Sequence, residues 1–242
     1  MVQKNYSINQ AVILCGGLGK RLGNITKKTP KPLIKINNKP FLNYLLDKLI
    51  KFNIQNVILL CAYKSEKFFK KYHNKDYKKK IKIICVKEKI PLGTGGALYN
   101  SKKKLDKIFY LLNGDSYFNF DLFQLKKNFL ISKFDVILSA KKKLNTRYGE
   151  LKIKKNILLS FGQPKKTKKS YINLGVYVFK KKVLKNFKNN QYISLENQIL
   201  PSLVKKKKIQ TLVFKNSFFI DIGVKNDLEK AKIKLPIIHK NN

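Results

Sequence analysis

Short apolar runs and amphipathic stretches alternate along the first 140 residues. Ala11–Cys15 (AVILC), Val57–Cys61 (VILLC), Ile81–Val86 (IKIICV) and Ile108–Leu112 (IFYLL) are each five or six residues long and almost free of polar residues. Such runs mark strands buried on both faces. Between the first two, Phe41, Leu42, Leu45, Leu46, Leu49 and Ile50 recur at helical spacing behind Pro40, a residue that suits a helix start. Ser65 is placed to cap a helix carrying Phe68, Phe69 and Tyr72. A helix from about Asp121 precedes a strand over 135–140. The order βαβαβαβαβ predicts a parallel sheet with helices on both faces.

Past residue 140 the pattern changes. Tyr148–Ile153 and Ile157–Phe161 alternate around Lys154-Lys155-Asn156, which predicts a hairpin. Tyr171–Phe179 reads as a long strand. Helices are expected over 181–186 and 196–204, strands over 209–214 and 218–220, and a last helix from near Asn226. There is no internal repeat and no Pro- or Ser-rich linker. The expectation is one α/β domain over 1–242, its mostly parallel sheet joined by a small antiparallel lid over the strand ends.

The chemistry gathers at the turn after the first strand, Gly16-Gly17-Leu18-Gly19-Lys20-Arg21, followed by Pro30-Lys31-Pro32. Glycines let backbone N–H groups close on a ligand, and consecutive N–H groups form an anion nest. No Asp or Glu precedes Asp47, so nothing here repels a phosphate. Two better-known fingerprints fail. Leu22 stands where the dinucleotide motif needs glycine, and no acid follows about 20 residues on. Leu14 and Arg21 occupy required positions of the Walker A pattern. A second glycine-rich turn, Gly93-Thr94-Gly95-Gly96, precedes another helix. Asp115 and Asp221 each follow an apolar strand, where α/β sheets bind ligands. Two carboxylates beside a phosphate turn suit Mg²⁺; a helix cap for Asp115 and a turn role for Asp221 stay open.

The net charge of +41 changes this picture little. All but Arg21 and Arg147 of the basic residues are lysine, spread along the whole chain, so no nucleic-acid partner is expected. Cys15, Cys61 and Cys85 lie inside apolar runs without paired or metal spacing, as buried thiols of a cytoplasmic protein do. The N-terminus is polar, which predicts no signal peptide. No apolar run approaches the roughly 20 residues of a membrane span, so no membrane partner is expected. His73 and His239 are not expected to bind metal or act as bases.

LCGGLGKRL…TPKPL, PLGTGGAL, LNGDSYFNFDL, YINLGVYVF, SLENQILPSL and FIDIGVKNDLEKA follow one another in an order that resembles the sugar-1-phosphate nucleotidyltransferase family. The resemblance implies the Rossmann-like nucleotide-diphospho-sugar transferase fold, with a nucleotide-binding half over about 8–140 and a sugar-binding half over about 141–235. It implies attack of a sugar 1-phosphate on the α-phosphorus of an NTP with Mg²⁺ as cofactor. Gly16, Gly17 and Gly19 then wrap the triphosphate, and Leu14 and Gly16 meet base and ribose through backbone. Arg21 and Lys31 act on the phosphates; Asp115 and Asp221 hold the metal. Gly95 and Gly96 give the base close approach, and Glu88 borders its pocket. Gly149, Asn173, Gly175 and Glu196 match positions lining the sugar pocket, with strand relief, backbone satisfaction and helix initiation as competing roles.

Two departures stand out. Lys20 replaces the threonine or serine of many relatives, and Gln163 stands where many carry the lysine of Glu-Lys-Pro, leaving Lys165 or Lys166 to substitute. Within the family the LGTGGAL turn and FIDIG ending are most similar to a branch that guanylylates heptose 1-phosphates, which implies GTP. Mannose, glucose and N-acetylmuramate phosphates stay open as acceptors, as does a noncatalytic nucleotide-sugar-binding relative and a homo-oligomer.

Overall fold

The computed structural model describes residues 7–88, 90–144, 147–162, 169–185, 187–188 and 190–240. The chain opens with β1 (Gln10–Leu14), α1 (Asn24–Lys28), the short β2 (Lys35–Ile36) and β3 (Lys39–Pro40), α2 (Phe41–Lys51) and β4 (Asn56–Cys61). It continues through α3 (Ser65–Tyr72), β5 (Lys75–Tyr77), β6 (Ile81–Lys87), α4 (Gly93–Asn100), β7 (Ile108–Asn113) and β8 (Ser116–Phe118). Then come α5 (Leu122–Leu130), β9 (Val136–Leu144), β10 (Glu150–Lys154), β11 (Ile157–Gly162) and β12 (Lys169–Lys180). The last elements are α6 (Leu200–Lys205), β13 (Ile209–Val213), β14 (Phe219–Asp221) and α7 (Lys225–Lys240).

Four strands, β7-β1-β4-β6, lie side by side and parallel, as their uninterrupted apolar runs predict. Successive side chains leave opposite faces of a strand. Ala11, Ile13, Val57, Leu59, Tyr110 and Leu112 therefore enter one apolar layer, beneath α2, α3, α5 and α7. Val12, Ile58, Leu60, Phe109 and Leu111 enter the other, beneath α4 and α6. The sheet thus has helices on both faces. α5 begins at the expected place, and the Asp121 carboxylate caps it by accepting from the Gln124 N–H at 3.0 Å. Ser65 is not a cap: it is the buried first residue of α3, and Lys64, with φ 51°, holds the cap position without a side-chain bond.

Beyond β7 the sheet becomes mixed. The long β12 inserts between β7 and β9, antiparallel to both, and β13 pairs parallel with β9. The β10–β11 hairpin, expected as a lid, is joined to this sheet on both sides. β11 meets β13 at Ile157 and Gln210, and β10 meets β12 at Leu151 and Tyr171, so five strands close a ring. β12 shifts register between Asn173 and Tyr177. There the buried Ser139 hydroxyl donates to the Val176 carbonyl (2.7 Å) and accepts from its N–H (3.3 Å). Both backbone groups freed by the bulge are thereby satisfied.

Two expected helices are shorter or irregular. Residues 181–184 make only a 3₁₀ turn. Residues 195–199 form a wide π turn under a Ser194 cap, and Pro201, which lacks an N–H, sits in the first turn of α6.

α7 is fastened to α2 by a buried charge. Asp47, 7% exposed, meets Lys39, Lys78 at 2.7 Å, His239 at 3.2 Å and the Tyr77 hydroxyl at 2.9 Å. Burial alone would raise its carboxyl, but the bonds from His239, Lys39, Lys78 and Tyr77 outweigh that and hold it well below the usual range. Its folded-state pKa lies below the unfolded value of about 3.9. The resulting stabilisation is complete above that pH and is lost as pH falls toward the folded-state value. We expect Asp47→Asn to lower stability by about 2 kcal/mol at pH 7. In urea unfolding, the gap between variant and wild type should narrow as pH drops below about 4; a gap independent of pH would refute this role.

Candidate active site

β1, β4 and β7 all end at one rim. The Cys15 N–H donates to the Leu60 carbonyl (2.9 Å) and the Gly114 N–H to the Leu14 carbonyl (3.0 Å). The crossing is so close that a methyl group on Gly114 would lie 2.5 Å from the Leu14 oxygen. A cavity of about 390 Å³ opens here. Of the residues singled out in sequence, Leu14, Gly16, Gly17, Lys31, Glu88, Asp115 and Glu196 line it.

The first glycine turn divides into distinct jobs. Gly16 passes close to Ala62 and Glu88, where an added methyl would stand 3.1 Å and 3.2 Å from them. Gly17 has nothing within 4 Å of that position and faces open space. Gly19, at φ 71°, is required by its neighbours, since a methyl would meet Thr26 at 2.6 Å and the Lys31 stem at 3.0 Å. Gly19 does not line the cavity; it makes room for Lys31. Pro30 and Pro32 flank Lys31 on a 3₁₀ turn, and its ammonium reaches Asp115 Oδ2 at 2.7 Å with the lysine side chain only 11% exposed.

Asp221 arrives from the far end of the chain. β14 pairs with β8, Asp221 opposite Ser116, and the Ile222 N–H donates to the Asp115 carbonyl at 3.0 Å. The two carboxylates nominated from sequence are therefore brought together. Asp221 Oδ1 accepts from the Gly223 N–H at 2.6 Å. Burial first, and then the Asp115 carboxylate, raise the Asp221 carboxyl above its ordinary range, opposed by Arg147, the Gly223 N–H and Lys31. Both arginines converge here. Arg21, exposed, places Nη2 3.3 Å from where a Gly223 methyl would be, and Arg147 places Nη1 3.5 Å from it. Arg147 also donates to the Asp221 carbonyl (3.1 Å), Asp227 Oδ2 (2.6 Å) and the Tyr148 hydroxyl (2.6 Å). Its role was not read from sequence; its only signal was being one of two arginines.

Magnesium takes one or two carboxylates and fills its remaining positions with water and phosphate oxygens. Asp115 and Asp221 fit that demand: they repel one another, and a divalent cation would relieve the repulsion. Among the described residues no group of three or more acidic, His or Cys side chains offers a larger ligand set.

Gly95 and Gly96 do not border the cavity. Both N–H groups donate to the Ile193 carbonyl, at 2.8 and 3.1 Å, and methyl groups would collide with Ile193, Ile199 and the Gln191 carbonyl. They seat the 191–195 segment, which instead brings Tyr192 to the cavity beside Thr94 and Glu196. The Thr94 hydroxyl donates to Glu196 Oε2 and accepts from the Leu195 N–H, both at 2.9 Å. Burial raises the Glu88 carboxyl, against the Leu92 N–H that it accepts at 3.0 Å.

The remaining sugar-pocket positions do not themselves line this cavity, although Gly175 packs against Asn113, which does. Asn173 donates to the Tyr177 hydroxyl at 2.5 Å and accepts from Gly175 N–H at 2.9 Å, so it serves the β12 bulge. Gly175, at φ 75°, makes room for Asn113, and Gly149 is exposed on the hairpin. Lys20 is exposed, and Gln163, Lys165 and Lys166 lie outside the described residues.

Two glycines that look alike in sequence should respond differently. Gly93, at φ 71°, would push a methyl to 2.6 Å from the Ile193 carbonyl oxygen. Gly93→Ala is expected to lower unfolding stability by about 1–3 kcal/mol. Gly17→Ala should change it by less than about 0.5 kcal/mol. Equal losses in urea titrations would contradict this division.

A sheet with helices on both faces, a glycine-lined cavity at the strand ends and a Lys–Asp pair in its wall define a phosphate-handling α/β protein. The chain matches the nucleotidyl transferase family over residues 10–236 and belongs to it. It is a nucleotidyltransferase. It is 41% identical over 221 residues to the D-glycero-alpha-D-manno-heptose 1-phosphate guanylyltransferase of Campylobacter jejuni, covering 90% of this chain and 96% of the relative. The protein of the same name from Aneurinibacillus thermoaerophilus is 34% identical, with 93% and 98% covered. The crystal structure of HddC from Yersinia pseudotuberculosis complexed with GMP-PN superposes with a TM-score of 0.81 at 31% identity, over 94% of this chain and all of that one.

Proposed function

We propose that this chain transfers the guanylyl group of GTP to D-glycero-α-D-manno-heptose 1-phosphate, releasing pyrophosphate. The single observation that carries the chemistry is the Lys31–Asp115 pair at 2.7 Å in the wall of a glycine-lined cavity. The names of the two relatives and the GMP-PN complex of HddC support guanine and heptose.

The acceptor phosphate oxygen forms a bond to the α-phosphorus as the bond to the bridging oxygen of pyrophosphate breaks. Displacement is direct, so the protein's work is positioning and charge stabilisation. Leu14, Gly16 and Gly17 present backbone to the nucleotide. Lys31, a point charge on a clamped stem, neutralises the oxygens around the reacting phosphorus. Arg21, with its planar fork, holds the departing phosphates. Asp115 and Asp221 would hold Mg²⁺, which when bound would polarise the phosphates and offset their charge. Glu88 and Glu196 border the nucleotide and sugar ends of the cavity. The reaction belongs in the cytoplasm, where GTP is made, and the three buried free thiols accord with a reducing compartment.

A pyrophosphate-release assay with Mg²⁺, five nucleoside triphosphates and a panel of sugar 1-phosphates tests this reading. The GTP–heptose pair should give the highest kcat/KM. Preference for another pair would replace the substrate assignment, and silence with all pairs from folded protein would sink the catalytic one.

A further inference from the structure

A second hollow, of about 280 Å³, has Asp221 and Asp227 in its wall, neither of which lines the first cavity. Two separate elements aim cations at it. Lys141 and Lys143 are two apart on β9, hence on one face of the strand. Lys230 and Lys234 are four apart on α7, stacked on one face of the helix. Like charges at that spacing weaken a helix. All four line the hollow. Lysine is common everywhere in this chain, so its presence alone selects nothing; convergence on one concavity does. The wall is aromatic: Tyr148 and Phe219 meet edge to face at 5.5 Å, and the Lys143 ammonium lies 5.6 and 5.5 Å from their centroids.

The charge there is unbalanced. Asp221 and Asp227 also border the hollow, but Arg147 engages both, at 3.6 and 2.6 Å, and Lys230 lies 3.6 Å from Asp227 Oδ1, so two carboxylates are shared among Arg147 and four lysines. Burial, and then Arg147, Lys141 and Lys230, push the Lys143 ammonium down, with Asp227 alone opposing. Burial also lowers Lys141, whose amine reaches the Ser217 carbonyl. A bound anion would remove this repulsion, and an aromatic wall suits the apolar face of a ring.

We propose that this hollow is a second binding site, which takes the phosphate of a small phosphorylated molecule on Lys141, Lys143, Lys230 and Lys234 and its ring on Tyr148 and Phe219. The phosphate has two sources: the sugar 1-phosphate acceptor, waiting beside Asp221, or a phosphorylated molecule that does not react and acts through Asp221. The first of these rests on the function proposed above; the site itself does not.

Labelling with pyridoxal 5′-phosphate and borohydride, mapped by peptide mass spectrometry, tests the site without turnover. This probe joins a ring, a phosphate and a lysine-reactive aldehyde. Lys141 or Lys143 should be modified roughly tenfold faster than the median exposed lysine. Inorganic phosphate should protect them, and Lys143→Gln with Lys230→Gln should abolish protection at Lys141. Protection by heptose 1-phosphate, with a raised acceptor KM in the double variant, assigns the acceptor. Protection by phosphate but not by heptose 1-phosphate, with unchanged acceptor KM, assigns a non-reacting ligand. Uniform labelling that no anion suppresses overturns the proposal. The readout is the same whether or not the chain turns over any substrate pair, so failure of the transferase reading would be seen separately.

Discussion

Asp115→Asn is expected to lower kcat by about 10³-fold, the several kcal/mol that a metal's charge stabilisation is worth. The substitution keeps the size of the side chain and removes its charge. Lys31 loses its counter-ion at 2.7 Å, and Asp221 is left as the sole carboxylate of the pair. Stability should hardly move. The Asp115 side chain is 29% exposed, and asparagine still offers an oxygen to the Lys31 ammonium, so the loss should stay within about 1 kcal/mol although the Lys31 side chain is only 11% exposed. Pyrophosphate release at saturating Mg²⁺ gives the rate, and Mn²⁺ titration gives metal affinity independently of turnover. Near-normal values of both would falsify the metal assignment. A lost rate with unchanged Mn²⁺ affinity would move Asp115 from metal ligand to partner of Lys31.

Lys31→Met should cost about 10²–10³-fold in kcat/KM, as loss of one preorganised charge at a reacting oxygen does. Methionine keeps an unbranched stem beneath Gly19, so the turn stays packed. The split between parameters is the sharper readout. A charge that acts on the transition state lowers kcat, whereas one that only anchors GTP raises KM. A pure KM effect would reduce Lys31 to a binding residue. Arg21→Gln should do less harm, because Arg21 is exposed and lies outside the wall of the cavity.

The sequence was most legible where structure depends on local pattern. β1, β4 and β7 were readable because a strand covered on both faces has to be apolar throughout, and β6 because one buried face keeps Ile81, Ile83 and Cys85 apolar. The placement of Asp115 and Asp221 near one another at strand ends was readable because each follows an apolar strand, whereas Lys31 stood out only by its two flanking prolines beside the glycine turn. Illegible features were those fixed by distant partners. Nothing in Tyr171–Phe179 says that it will lie between β7 and β9, since an apolar run records burial and not neighbours. Gly95 and Gly96 look like Gly16 and Gly17 in sequence, yet a backbone nearly a hundred residues away claims their N–H groups. Arg147 sits at the end of a lysine-rich stretch, and only folding shows that it bridges Asp221 and Asp227. The small β5 and β8 carry too few residues to show a period.

The insertion of β12 between β7 and β9 has a consequence for the order in which the molecule is made. Residues 10–144 contain every strand of the parallel half, but the outer edge of β7 stays unpaired until Lys169–Lys180 has left the ribosome. Until then the nascent chain exposes an apolar edge that can template pairing with another chain. Residues 10–144 are therefore not a self-sufficient folding unit. A chain terminated near residue 150 is predicted to aggregate, whereas one terminated after β12 covers that edge with its own backbone.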